Sequence, residues 1–457
     1  MKKYRLVPLM LALCILMGAV AGCTAPTAAP TEVPETAEPT EEVAATEEPT
    51  EAAEATEAPA VESVKIGAIL PLTGGAAATG VKLQAAMEVA QEIINGEHPE
   101  IAIPLAETAG LPNLGGAKLE ITFADHQGNP EIAKTEAERL IDEGMVGLVG
   151  SYQSSSTKPA SQAAEQYGIP FVAGSSSSAA LTERGLQYFV RVAPNDDMAT
   201  EMFFEYLTYL NENFDAAIKT VAVAYIDNEY GVHAKDMVDK WLAEKYGALG
   251  FELAGVVAYP AKDLTNVDTE AQQIKALNAD AIFHASYIAD ITMFVNKYKE
   301  VGVAPKAILN YCGGFQDPQF TVNLGNDGDY FAGDAAFSSE KLAVMPELTA
   351  INELYKAKTG VDLDGPALEE FASVMVMAEA INIAGSTDGD AIMEAIRATE
   401  FEAPYFTTGV IRFNEKGQNE VPASFMVQTQ NKVYQAVWPA EGATADPIVP
   451  ITPWDAR

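Results

Sequence analysis

The stretch that decides the fold is "MVGLVGSYQSSSTKPASQAAEQYGIPFVAGSSSS", Met145 to Ser178. A short apolar run, Met145 to Val149, gives way to a row of hydroxyls and then to a segment that reads as a helix. A second apolar run, "IPFVA", leads into a second row, Gly174 to Ser178. Strand, helix and strand in this order make a βαβ unit, and such units imply parallel pairing. The first row of hydroxyls falls where the strand ends and the helix begins. A helix N-terminus presents unpaired N–H groups and the positive end of its dipole. One Ser there would be a cap. Here Ser154, Ser155, Ser156 and Thr157 follow one another, more than a cap needs. The row therefore predicts a cap together with spare donors facing a cleft.

The same alternation extends in both directions. Upstream, "VKIGAIL" (Val64 to Leu70) reads as a buried strand, and Leu83, Ala86, Met87, Ala90 and Ile93 share one helical face. "LEITFAD" (Leu119 to Asp125) and "PEIAKTEAERLIDEG" (Pro130 to Gly144) are the next strand and helix. After "YFVRVAP" (Tyr188 to Pro194) the pattern restarts with a helix from Asp196. Strands follow in "TVAVAYID", "FELAGVVAYP", "DAIFHASY" and "KAILNYC". Three helical segments (Val344 to Gly360, Ala367 to Gly385, Asp390 to Thr399) precede a hairpin, "FMVQTQNKVYQAVW", with Gln430-Asn431 near its turn. The Pro- and Gly-rich stretch from Gly96 to Lys118 reads as a surface insertion. Repeated βα units predict an α/β fold of two doubly wound parallel-sheet lobes.

Composition narrows the function. The 457 residues allow two or more domains at roughly 150 residues each, and 48% are apolar. A formal charge of −37 argues against nucleic acid, which needs clustered Lys and Arg. Thr31 to Glu62 holds Glu, Thr, Ala and Pro but no Lys, Arg or aromatic residue. Residues 24–62 are expected to be a disordered, self-repelling tether. Before them, Lys2, Lys3 and Arg5 precede an apolar run and "VAGC" (Val20 to Cys23), which resembles the lipobox of bacterial lipoproteins. Residues 1–23 are then a lipoprotein signal peptide, Cys23 is lipidated, and the rest sits outside the cytoplasmic membrane as an anchored protein. Cys14 goes with the signal, and a lone Cys312 makes no intrachain disulfide. His98, His126, His233 and His284 share no metal-ligand spacing, and no nucleotide, hydrolase or metalloprotease motif is present. No metal, cofactor or catalytic residue is expected.

"VKIGAILPLTGGAAATG" (Val64 to Gly80) resembles the start of the branched-chain amino-acid type of periplasmic binding protein, type I, the solute receptors of ABC importers. "FADHQGNP", "GSYQSSSTKPAS", "LTERG", "YFVRVAP", "YIDNEYG" and "IRFNEKG" follow in the family's order, to about Gly417. The resemblance implies two lobes joined by a three-stranded hinge, with crossings near Pro194, Phe337 and Tyr405. Lobe one is then 63–193 plus 338–405, and lobe two is 194–337 plus 406–457.

The resemblance also implies a site. Ser154, with Ser155, falls on the turn that binds a ligand carboxylate. Ser175 and Ser177 fall on the next contact loop, and Thr79 on a side-chain pocket position. Tyr230 and Tyr287 match tyrosines of lobe two, and Asp125 would brace a loop. One position departs from the family: Cys312 stands where amino-acid binders hold the ligand ammonium with an acid. Asp227 or Glu229 would substitute, or the ligand lacks an ammonium, as an amide, urea or organic acid does. The implied function is delivery of a small carboxylate-bearing solute, a branched-chain amino acid first, to an ABC permease by a monomeric receptor. A sensor acting on a partner kinase or receptor is the rival binding role. An enzyme is the third class, and no motif supports it.

Overall fold

The computed structural model describes residues 62–457. The signal peptide, Cys23 and all of the tether but Glu62 lie outside the described residues. The first lobe opens with β1 (Ser63–Leu70), α1 (Ala77–Asn95), β2 (Lys118–Asp125), α2 (Pro130–Asp142), β3 (Leu148–Gly150), α3 (Ser154–Tyr167), β4 (Phe171–Ala173) and β5 (Phe189–Arg191). The second contains α4 (Asp196–Asn213), β6 (Thr220–Asp227), α5 (Glu229–Trp241), β7 (Glu252–Pro260), α6 (Asp268–Leu277), β8 (Ala281–Ala285), α7 (Ile288–Val301) and β9 (Ala307–Asn310). It continues with α8 (Cys312–Phe315), α9 (Gln319–Leu324) and β10 (Ala332–Ala335). Then come α10 (Pro346–Thr359), α11 (Gly365–Ala384), α12 (Gly389–Ala398), the small pair β11 (Phe401–Ala403) and β12 (Gly409–Ile411), and the hairpin β13 (Phe425–Gln430) and β14 (Val433–Trp438).

Two sheets organise these elements. The first is parallel throughout, in the order β2-β1-β3-β4-β5. The second runs β14-β13-β10-β9-β8-β6-β7, with β13 and β14 antiparallel to their neighbours. The hairpin turns through Asn431 and Lys432, both at positive φ (53° and 67°), the primed geometry that matches strand twist. β10 is "AGDA", a run with no apolar signature, and it went unseen among the expected strands. The stretch from Gly96 to Lys118 is more than a surface insertion. Its Ile101, Ile103, Ala106 and Leu111 are buried in the first core.

The chain passes between two hydrophobic cores three times. Val192 belongs to the first core and Ala199 to the second, Ala335 to the second and Ala336 to the first, Ala423 to the first and Phe425 to the second. The third passage corrects the one expected near Tyr405. Phe406, Ile411 and Phe413 pack in the first core, so burial of these side chains holds the chain in lobe one for a further stretch. α11 is buried on nearly every face, as a helix apolar all round must be. It packs against α1, α12 and the strands β3 and β4.

Asp125, at the end of β2, braces the loop after β1. Its Oδ1 accepts the N–H groups of Leu72 (2.9 Å), Thr73 (3.1 Å) and Gln127 (2.9 Å), and its Oδ2 accepts the Thr73 hydroxyl (2.5 Å). Burial pushes this carboxyl up, but the bonds outweigh it and hold the group below its ordinary value. A carboxyl with a lowered folded pKa contributes stability above its unfolded pKa, lost as pH falls through the folded value. Asp125→Asn is expected to cost about 1–2 kcal/mol. It should lower the thermal midpoint at pH 7 and narrow its difference from the parent under acid conditions. Equal midpoints at pH 7 would refute the brace.

Candidate functional site

In open α/β sheets ligands bind beyond the carboxyl ends of the strands. The first Ser row begins α3 there, and most of its hydroxyls are already engaged. The Ser154 hydroxyl, buried, accepts the N–H of Ser178 at 3.1 Å. The Ser156 hydroxyl meets His126 Nδ1 at 3.2 Å, and Thr157 meets the Ser176 hydroxyl at 2.5 Å. Ser155 is half-buried on the same turn. His126 also accepts the Gly128 N–H at Nδ1, so the tautomer assigned to it carries its proton on Nε2, 3.0 Å from the Ser151 carbonyl. Burial holds His126 neutral, with its pKa down to about 4. The two Ser rows are thus bonded to one another.

Ser175 engages a carboxylate, but one from the protein. Its N–H and hydroxyl donate to Glu370 Oε1 at 3.2 and 2.6 Å. Glu370 comes from the second turn of α11. Gly174 permits this approach, because a Cβ there would lie 2.3 Å from Glu370 Oε2. Burial raises the Glu370 carboxyl to about 7 despite these bonds. Ser177 is buried nearby, and its carbonyl accepts the Asp196 N–H at 2.8 Å.

Across the cleft, Tyr287 packs against both cores. Its ring centroid lies 5.5 Å from that of Tyr230 and 5.7 Å from that of Tyr152, a residue of lobe one. Tyr152 is held at φ 70° and was not singled out from the sequence. Its hydroxyl donates to the Gly313 carbonyl of lobe two at 3.1 Å. Further bonds join the lobes. Thr79 donates to Asp317 Oδ2 at 2.9 Å, and Lys82 Nζ lies 2.5 Å from Asp317 Oδ1. Lys158 pairs with Glu229 at 2.9 Å. Thr79, placed by resemblance in a pocket, is here part of an interlobe latch.

Asp227 is exposed, and Glu229 pairs with Lys158 through Oε2 while its Oε1 is buried without a hydrogen-bond partner. The buried acids whose charges raise the Cys312 thiol pKa, after burial itself, are Asp334, Glu369 and Asp196. Both carboxylate oxygens of Asp196, Oδ1 of Asp334 and Oε2 of Glu369 have no hydrogen-bond partner. The Tyr230 hydroxyl is also buried and unpartnered. Burial raises Asp196 and Asp334 to about 7 and pushes Glu369 well above the carboxylate range. These acids lie far apart in the chain, and Asp196 reads in the sequence as an ordinary helix-start aspartate. Glu369-Glu370 is the available signal, an adjacent charged pair in the second turn of a largely apolar helix.

An interlobe cavity of about 370 Å³ is lined by Gln316, Phe337, Ser338, Asp364, Val427 and Tyr434, among others. None of the expected site residues lines it. Among the described residues no group of three or more His, Cys, Asp or Glu is arranged to hold a metal. None of their helices is long and apolar enough to cross a membrane.

The model of the family described as periplasmic binding protein matches residues 63–432. Leu/Ile/Val-binding protein homolog 7 of Brucella abortus is 26% identical over 395 residues, 85% of this chain and 94% of that protein. The fold is shared with the branched-chain amino acid transporter substrate binding protein LivJ from Streptococcus pneumoniae, solved with isoleucine. The TM-score is 0.67 at 20% identity, covering 85% of this chain and all of that one. A solute binding protein of an ABC transporter from R. palustris, solved with benzoate, gives a TM-score of 0.69 at 15% identity, covering 85% and 99%. With two parallel-sheet lobes, three passages between their cores and a family match over most of its length, the chain belongs to the periplasmic binding protein family, as a type I solute-binding protein of the ABC importer kind.

Proposed function

We propose that this protein captures a small solute between its lobes outside the cytoplasmic membrane and hands it to an ABC permease. The reading includes a monomer anchored through a lipid on Cys23. The observation that carries it is the set of bonds joining the lobes across the cleft. Asp317 receives Thr79 and Lys82, Gly313 receives Tyr152, and Glu229 receives Lys158. All of these bonds bridge residues on opposite sides of the passages, so separating the lobes breaks them together. A solute that touches both lobes shifts the open–closed equilibrium by as much as it prefers the closed form.

An amino acid is the ligand class to test first. The names of the relatives and the place of the two Ser rows support it. An organic acid such as benzoate is the second reading, and the benzoate-bound neighbour supports it. Calorimetry against amino acids, amides and organic acids is expected to find a 1:1 ligand with a Kd of about 1 μM or tighter. No binding by any of them would remove the receptor reading.

The latch makes a second prediction. Asp317→Ala deletes the partner of both Thr79 and Lys82, costing the closed form about 1.5–3 kcal/mol. Affinity should fall roughly tenfold or more, at about 1.4 kcal/mol per decade. Small-angle scattering of the ligand-free variant should show a larger radius of gyration. Unchanged affinity and radius would mean that these contacts do not govern closure.

A further inference from the structure

We propose that the ligand carries net positive charge, and that its protonated nitrogen is held by Asp196, Asp334 and Glu369 with the Tyr230 hydroxyl beside them. This rests on the reading of the cleft as the binding site, and it names the chemistry of what enters. Asp196 is 0% exposed, Asp334 2% and Glu369 4%. All three keep carboxylate oxygens without a partner. Unmet hydrogen-bonding capacity at a buried carboxyl is costly, and a donor from outside the chain would meet it at all three.

Among the described residues no side chain donates to these oxygens. Arg191 is the fully buried cation nearby, and its guanidinium is already saturated. Nε and Nη2 donate to Gln418 Oε1, Nη1 to the carbonyls of Ser176 and Ser178, and Nη2 also to Thr182. It forms no ion pair with any of the three acids. Lys82 and Lys158, which bridge the lobes, are bound to Asp317 and Glu229. Glu370 and Asp364 add two more buried acids to the same region. Burial raises the pKa values of all three carboxyls, although the charge of Arg191 pulls Asp196 and Glu369 back down.

The unpartnered hydroxyls fit the same ligand. Tyr230 (3% exposed) carries a free hydroxyl 3.0 Å from where a Cβ on Gly313 would sit, next to Cys312. The Ser286 hydroxyl, also unpartnered, is in the same wall: its carbonyl lies 2.6 Å from that Cβ position. On the opposite side Ser175 spends its N–H and hydroxyl on Glu370, while the Ser154 hydroxyl accepts the Ser178 N–H. A zwitterion brings one charge of each sign and leaves the acid excess in place. An amine or a basic amino acid lowers it.

The test uses 1,4-diaminobutane and lysine as cationic probes, leucine as the zwitterion and benzoate as the anion, titrated into the protein and into Asp334→Asn and Glu369→Gln. A cationic probe is expected to bind at least tenfold tighter than leucine, and each substitution to weaken it at least tenfold. Both substitutions replace a buried carboxyl that keeps an oxygen without a partner, so the thermal midpoint without ligand should hold or rise. That readout stands independently of the ligand. Leucine or benzoate binding best, with either substitution changing affinity less than twofold, would overturn the proposal and leave the receptor reading intact. So would a fall of the ligand-free midpoint by several degrees in both variants, which would make the acids structural. No binding by any probe would overturn both readings together.

Discussion

The guanidinium of Arg191 is the contact on which the rest depends. It sits at the end of β5, just before the first passage between lobes, and is fully buried. Its hydrogen bonds fix the carbonyls of Ser176 and Ser178, and so the shape of the second Ser row. They also fix Gln418, whose amide returns to the Ala193 carbonyl. The Arg191 backbone pairs with Gly417 and Asn419. One side chain thus ties the segment leading into the first passage to the one leading into the third and to the loop lining the cleft. A buried cation so fully bonded is expensive to disturb, and Ser175, Ser177 and Asp196 inherit their positions from it.

From that anchor the site reads differently from its sequence. The hydroxyl rows looked like donors waiting for a carboxylate. In the folded chain they brace one another, and Glu370 takes the Ser175 donors. The missing acid at Cys312 looked like a gap. The charges of three buried acids from α4, β10 and α11 act on its thiol instead. The proposed polarity of the site is therefore acidic, where the sequence alone points to a carboxylate-binding turn.

The sheets and helices were legible because period and punctuation are local. Val64 to Leu70, the apolar face of α1 and the hairpin of Phe425 to Trp438 announce themselves in consecutive residues. β10 did not, because "AGDA" is held by neighbours on both sides and not by its own pattern. The third passage was misplaced for a related reason: Phe406, Ile411 and Phe413 read equally well as core of either lobe. Side-chain pairings across long separations, such as Ser175 with Glu370 or Thr79 with Asp317, leave no local trace. Resemblance placed Ser154, Ser175, Tyr230 and Tyr287 on loops and helix starts beside the cleft, but it was silent about which groups their polar atoms meet.

The central claim is that the lobes close over a small solute whose positive end meets Asp196, Asp334 and Glu369. The most direct measurement is native mass spectrometry of the protein purified from its own host without denaturation, followed by identification of the released molecule. The account predicts one equivalent of a small molecule bearing a protonated nitrogen and a net positive charge at neutral pH. One equivalent of an anion, or of a solute without a basic nitrogen, would contradict it.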